Sequence, residues 1–402
     1  MTLVHKILTS LDETTAETWD ASVRADDPFN RYHFLKSLER GGAVTAERGL
    51  APLYLTIEAQ GKTACALPLT LKTHSYGEYI FDWGLADAWE RSGREYYPKL
   101  VAMVPFTPAT TARWTGQLPL AEGFAALEPA LFQLADETGA HSIQLLYLSE
   151  AEAEVARDSG RFSLRSGLQF HFESRGWTCF EEHLAAMRSG HRKQVRRERK
   201  LAQSQGFALA VESGEQLSDE DWQRLYACYH HTCAERGAPA YLPPGVFVHW
   251  RTHFSAAMRV ATARDDAGTL QAAALAFVAE GALFGRYWGS LCGQEHLHFE
   301  LCYHAFIEWG LANGIKRFES GAQGEHKIKR GFVPTLTRAA YWFRDPDLHR
   351  LAARAFAQEH LGLQTQAEML RQALPYRRGA LASREDVGEG LDDEASGPKA
   401  EQ

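Results

Sequence analysis

Two acids, a histidine, two lysines, an arginine and three glycines fall within residues 318–334, FESGAQGEHKIKRGFVP. These side chains divide by chemistry. A nucleophile such as an amine must lose a proton, and His326, Glu319 or Glu325 can take one. A developing oxyanion or a phosphate needs a positive or N–H donor, and Lys327 and Arg330 suit that role. Gly321 and Gly324, flanking Gln323, allow a sharp turn or a close approach of backbone to a ligand. The same composition also fits a glycine-rich corner whose charges face water. Lys327 is read as an exposed side chain whose loss the fold survives.

Further candidates lie upstream. In GRYWG, residues 285–289, strand alternation puts Arg286 and Trp288 on one face and Tyr287 on the other. The flanking glycines point to a close ligand approach, although aromatic residues here also suit a core. The HFE stretch opens a helix on which His298 and Glu300 line a site, or Glu300 only complements the helix dipole. Phe299, Cys302, Phe306 and Trp309 follow at core spacing, and the adjacent His230 and His231 are structural. Between residues 191 and 200, HRKQVRRERK is an intensely basic helix. Arg192, Arg196 and Arg199 share one face, and Lys193, Arg197 and Lys200 the next. It is either a solvated helix or a phosphate-binding arm.

The elements that must position these groups come in a repeated order. The first half reads as a strand (LVHKILTSL), a helical region from Asp12 to about Gly41, and a strand pair turning at Gln60-Gly61. Then come a strand ended by prolines (YPKLVAMVPFTP), a helix closed by Gly139, the strand HSIQLLYL, a Ser-capped helix and the strand GLQFHFES. The second half repeats this plan: strand FALAVES, two helices, three strands, the helix HFELCYHAFIEWGLANG, strand KRFESG, a short helical turn HKIKRGF and strand LTRAAYWF. This pattern predicts a mixed α/β protein with a splayed sheet in each half.

Bulk composition sets limits. A chain of 402 residues with 45% hydrophobic content can bury a core in each of two domains. A net charge of -8 argues against a whole-surface nucleic-acid binder and for a local basic site, with no DNA partner. Cys65, Cys179, Cys228, Cys233, Cys292 and Cys302 show no CxxC or zinc-ligand spacing and read as reduced, mostly buried thiols. No apolar run is long enough for a signal peptide or a membrane span, which predicts a cytoplasmic protein. The acidic segment after about Gly379 reads as disordered.

VPFTP (104–108), GLQFHF (167–172), RKQVRRER (192–199), GRYWG, HFELCY (298–303) and the 318–334 stretch together resemble the FemAB-like branch of the GNAT acyltransferase superfamily, the peptidoglycan biosynthesis/recognition proteins. The resemblance implies two tandem GNAT-like domains, 1–174 and 207–376, with a basic helical connector at 175–206 and a disordered tail at 377–402. It implies transfer of an acyl or aminoacyl group to an amine acceptor, with acyl-CoA or aminoacyl-tRNA as co-substrate and no tightly bound cofactor or metal. A cell-wall precursor or another phosphate-bearing small molecule, and tRNA, are the partners it suggests. A non-catalytic precursor-binding protein stays open, as does the oligomeric state. The resemblance sets Lys327, His326, Glu325 and Glu319 at the chemistry. Arg286, Trp288, His298, Glu300, Gly321, Gln323, Gly324, Arg330, Arg192, Lys193, Arg196 and Arg197 hold substrate. The glycine loop by which GNAT domains grip a pyrophosphate is missing from VPFTPATTARW, which has Arg113 but no glycine, and from YWGSLCGQEHLHFE.

Overall fold

The computed structural model describes residues 3–293, 296–322, 324–377 and 379–380. The first half contributes β1 (Leu3–Leu8), β2 (Leu50–Ala59), β3 (Lys62–Lys72), β4 (Lys99–Ala102), β5 (Thr115–Gly116), β6 (Ser142–Leu148) and β7 (Ser163–Glu173). The second contributes β8 (Ala208–Ser213), β9 (Met258–Arg264), β10 (Leu270–Ala279), β11 (Ala282–Ser290), β12 (Arg317–Glu319) and β13 (Val333–Phe343). All belong to one 13-stranded sheet in the order β1-β2-β3-β4-β6-β13-β7-β12-β11-β10-β9-β8, with β5 on β3.

The two halves are related element by element. In each, a parallel pair follows an antiparallel run: β4 with β6, and β11 with β12. In each, the last strand crosses into the other half. β13 lies antiparallel against β6, and β7 lies antiparallel against β12. The exchanged strands also pair with one another, from Val333 opposite His171 to Tyr341 opposite Ser163. The sheet therefore continues from strands of the first half into strands of the second. Glu173 at the end of β7 already faces Arg317 of the second half.

Helices cover both faces. They are α1 (Ala16–Asp20), α2 (Tyr32–Arg40), α3 (Trp83–Arg91), α4 (Leu120–Glu137), α5 (Glu150–Asp158), α6 (Phe180–Ala186), α7 (Ser189–Gln203), α8 (Asp219–Glu235) and α9 (Pro244–His253). After them come α10 (Leu297–Phe299), a π turn over Glu300–His304, α11 (Ala305–Ala312) and α12 (Pro346–Gln372). The region from Asp12 to Gly41 is not one helix. Asp27 is buried and accepts from the backbone N–H groups of Phe29 and Asn30, which turns the chain between α1 and α2. Two helices fall where the sequence reading assigns nothing. One is α3; the other, α12, starts at an Asp345 cap with Pro346 at its first position and buries Leu348, Ala352 and Phe356 at i, i+4 spacing.

Cys65 and Cys228 are buried and Cys233, Cys292 and Cys302 are half-buried, but Cys179 is exposed, so the thiols are less sheltered than expected. Among the described residues no helix is long and apolar enough to cross a membrane. Residues 381–402, most of the expected tail, lie outside the described residues.

Candidate active site

The parallel strands β11 and β12 and the turn that follows them assemble the site. On β11 the pairing with β10 slips: Tyr287 faces Leu275 and Gly285 faces Ala276, so Arg286 is the extra residue of a bulge. A bulge breaks the alternation of side chains and re-aims the residue it carries. Arg286 consequently does not share a face with Trp288, as simple alternation predicts. Its guanidinium lies 5.3 Å from the centre of the Tyr287 ring and 5.9 Å from that of Tyr79, and donates to the Phe106 carbonyl. Trp288 belongs to the opposite core and sets its edge against His298 at 5.3 Å.

β12 ends at Glu319, which is buried and already engaged. Its carboxylate accepts from the Thr110 backbone N–H at 3.1 Å, pairs with Arg317 at 3.4 Å and lies 3.9 Å from His171. It anchors the 104–113 loop of the first half rather than standing free as a base. Gly321 (φ 87°) and Gly324 (φ 117°) then turn the chain through the left-handed region into a short 3-10 helix, Glu325–Arg330. Gln323 lies outside the described residues.

Lys327 departs from its expected exposure. It is 2% exposed, and its Nζ donates to the carbonyls of Ser320 at 3.0 Å and Gly321 at 2.9 Å. Burial draws its amine down to about 7; the nearby Cys302 opposes this and the charge of Arg286 adds to it. The other buried lysines all hold carboxylates: Lys36 with Glu39, Lys72 with Glu78, and Lys99 with Glu78 and Asp82. Lys327 holds none among the described residues.

The helix opening at Leu297 supplies the opposite wall. Its π turn adds a residue to the helical repeat, a device frequent at functional sites. His298, Tyr303 and His326 gather there, with the Tyr303 hydroxyl 2.9 Å from His326 Nε2. Burial, then the neighbouring His326, pushes His298 down to about 4. His326 is also lowered, by burial and then by Arg330 and Lys327, so its ring is neutral at pH 7 while remaining exposed. Glu325 is exposed beside it.

Two expected ligand-holding residues are committed elsewhere. Glu300 is buried and paired with Arg199 at 3.0 Å, so it neither lines the site nor serves only the helix dipole. Arg330 is buried, donates to Glu198 at 2.9 Å and to the His326 carbonyl at 2.8 Å, and stacks 3.5 Å over Phe299. It clamps the 3-10 helix to α7. The basic helix is accordingly split. Glu198 and Arg199 face inward, and Arg196 pairs with Glu181 at 2.7 Å. Arg192, Lys193, Arg197 and Lys200 form no ion pair among the described residues; Lys193, Arg197 and Lys200 are exposed and Arg192 is half-buried. Sequence reasoning did not single out Tyr303 or Glu198. The first is hidden in a helical core pattern whose π turn carries no local signal, and the second in a run of cations.

The place of a pyrophosphate loop in the first half is filled from within. Arg113 is buried, bonds Thr111, and gives its backbone N–H to Glu152.

A family model described as FemAB-like, peptidoglycan biosynthesis/recognition, matches residues 10–378. The chain belongs to the FemAB-like family. Its fold is shared by a crystal structure of FemX, with a TM-score of 0.54 and 11% identity over 88% of this chain and 100% of that one. It is also shared by the structure of L-PGS from Bacillus licheniformis, with a TM-score of 0.50 and 11% identity over 86% of this chain and 98% of that one. A tandem GNAT protein from the clavulanic acid biosynthesis pathway aligns at 14% identity over 85% of this chain and 98% of that one, with a TM-score of 0.42. Among curated proteins no sequence matches. In this FemAB-like chain the two halves exchange their last strands.

Proposed function

We propose that this FemAB-like protein transfers an aminoacyl group to an amine acceptor of a cell-wall precursor, with the 319–330 corner as its reaction centre. The observation that carries this reading is Lys327, a buried lysine with no carboxylate among the described residues, held by two backbone carbonyls and drawn toward neutrality. Such a group is costly to bury, and its charge is free to meet an oxyanion. The acceptor nitrogen attacks the donor carbonyl, and a C–N bond forms as the carbonyl oxygen becomes an oxyanion beside the Lys327 ammonium. Collapse expels the ribose oxygen of an aminoacyl ester, or the thiolate of a thioester. His326, neutral and exposed, takes the proton that the amine loses and returns it to the departing oxygen or sulfur; the Tyr303 hydroxyl fixes its ring.

An aminoacyl-tRNA donor agrees with the family, with the lack of a glycine loop, and with the outward cations of α7, which suit a phosphate backbone. The test is a transfer assay with labelled aminoacyl-tRNA and, in parallel, labelled acyl-CoA, for wild type and Lys327→Met. Transfer from the tRNA that falls in the variant supports the reading. Transfer from acyl-CoA alone would change the donor, and no transfer from either would leave a binding protein.

A further inference from the structure

The helix α12 is fastened along one side and bare along the other. Its inner side lies on β7 and β13, where Leu348, Ala352 and Phe356 join a core with Tyr341 and Phe343. Polar bonds from β7 hold it as well. Arg165 pairs with Glu359 at 2.9 Å, Ser163 bonds His349 at 3.2 Å and Ser166 bonds His360 at 2.8 Å. A helix held at this many points presents its outer side as a rigid surface.

That outer side carries apolar residues that nothing described covers. Leu351, Leu361 and Met369 are 58%, 64% and 67% exposed, and no other large apolar side chain described is as exposed as Leu361 and Met369. Leu351 and Met369 lie eighteen residues apart, about five whole turns, so they share one line along the helix. Leu361 falls between them, within about a quarter-turn of that line. Beside it a Cβ on Gly362 would meet nothing within 4 Å, so a second helix has room to approach. Next to Leu351 the surface sinks into a recess of about 450 Å³ between α12 and the end of α3, walled by Trp89, Arg94 and Arg354. Arg94 lies 4.6 Å over the Trp89 ring and stiffens that wall.

We propose that the outer side of α12 is a homodimer interface, in which two copies of this chain pack their α12 helices antiparallel about a two-fold axis at Leu361. The face is its own complement, as a two-fold contact requires. A hollow at Leu351 and a projecting Met369 stand on either side of Leu361. Rotation about the axis lays Leu361 on the partner's Leu361 and brings the partner's Met369 to Leu351 and the recess. A flexible thioether suits an irregular hollow of that kind. The charges agree with the same rotation. Arg354, seven residues before Leu361, is exposed and has no ion pair among the described residues. Glu368, seven residues after it, is exposed and paired with Arg371 of its own helix at 3.4 Å. The axis therefore sets Arg354 against the partner's Glu368, once on each side.

The test reads association of the full chain and uses no transfer reaction. Sedimentation velocity over a concentration series should give wild type the mass of two chains at micromolar concentration. Leu361→Glu sets two like charges on the axis and should raise the half-dissociating concentration by about tenfold or more, with the thermal melt of the monomer unchanged because the side chain is exposed. Arg354→Glu should weaken the dimer, and Arg354→Glu combined with Glu368→Arg should restore it, which a merely perturbed helix would not do. In a Cys179→Ser background, Leu361→Cys treated with a short bismaleimide should give a covalent dimer, whereas Lys62→Cys at the start of β3 should not. Wild type that stays monomeric across the series overturns the proposal. A dimer that Leu361→Glu leaves at wild-type strength, or that Leu361→Cys does not trap, lies on another surface and overturns it likewise. Should Leu361→Glu not fold, the charge exchange decides: a double variant no stronger than Arg354→Glu overturns the proposal.

Discussion

At the scale of single residues, Lys327 was recognisable by type and by its glycine-bounded setting, but its burial was not. A lysine flanked by His, Lys and Arg reads as solvated; only the carbonyls of Ser320 and Gly321, brought round by two left-handed glycines, show where its amine goes. Lys327→Met should lower turnover about a hundredfold, roughly 3 kcal/mol, if the ammonium meets the oxyanion. Steady-state kinetics check this, and wild-type turnover would remove Lys327 from the chemistry. Because the amine is held near 7, the ammonium is lost as pH rises through that value, and turnover should fall on the alkaline side. Lys327→Arg should extend that limb upward. The same shift has a stability counterpart. Between about 7 and 10.5 the unfolded chain keeps a proton that the folded chain has released, so wild-type stability rises with pH across this window and the burial penalty is full below it. Melts of wild type and Lys327→Met at pH 7 and pH 10 should show the wild type gaining on the variant at the higher pH. A difference that does not change with pH would mean that Lys327 carries no such shift.

At the scale of elements, α7 and β11 show what periodicity can and cannot reveal. The helical repeat of α7 was plain from its charges, yet those charges did not tell which face turns inward. Arg199 is committed because Glu300 and Glu308 stand opposite it on a helix a hundred residues later in the chain. The two faces should therefore respond differently. Arg192→Ala, Arg197→Ala and Lys200→Ala together should weaken tRNA binding and flatten its dependence on salt by about two units of log-log slope, at about 0.7 per single-strand phosphate. Filter binding across a salt series measures this, and an unchanged slope would make the outer face a solvated one. Arg199→Ala should instead lower the melting temperature, because it strands the buried Glu300 carboxylate, at a cost of about 3 kcal/mol. On β11 one inserted residue reverses every side chain after it, and nothing local to GRYWG announces the slip. The long helix α12 does carry signals in its sequence, an Asp-Pro start and apolar residues four apart.

At the scale of the whole molecule, the repeat of strand and helix order was legible, and the family resemblance carried the fold. What the order could not show is that GLQFHF and LTRAAYWF change places, because strand partners are set by tertiary contacts and each segment is locally only a strand. A fragment ending at residue 206 would keep β7 but lose β13, leaving β6 and β7 with open edges. It should be unfolded or aggregated by circular dichroism and size-exclusion chromatography, and so should its complement. Co-expression of the two should restore a soluble complex. A well-folded monomeric fragment would show that the exchanged strands are dispensable to each half.

The exchange also imposes an order on synthesis. While the ribosome extends the chain, β6 and β7 are made long before β13, which begins at Val333 and must enter the slot between them. Until then the nascent first half presents two unsatisfied strand edges, the kind of surface on which chains stick to one another. The contacts that close the slot are among the most distant in sequence, so ring closure is slow relative to local helix formation. Recombinant yield of this protein should thus depend less on its final stability than on how long that slot stays open, and slower growth temperatures or a holding chaperone should raise it.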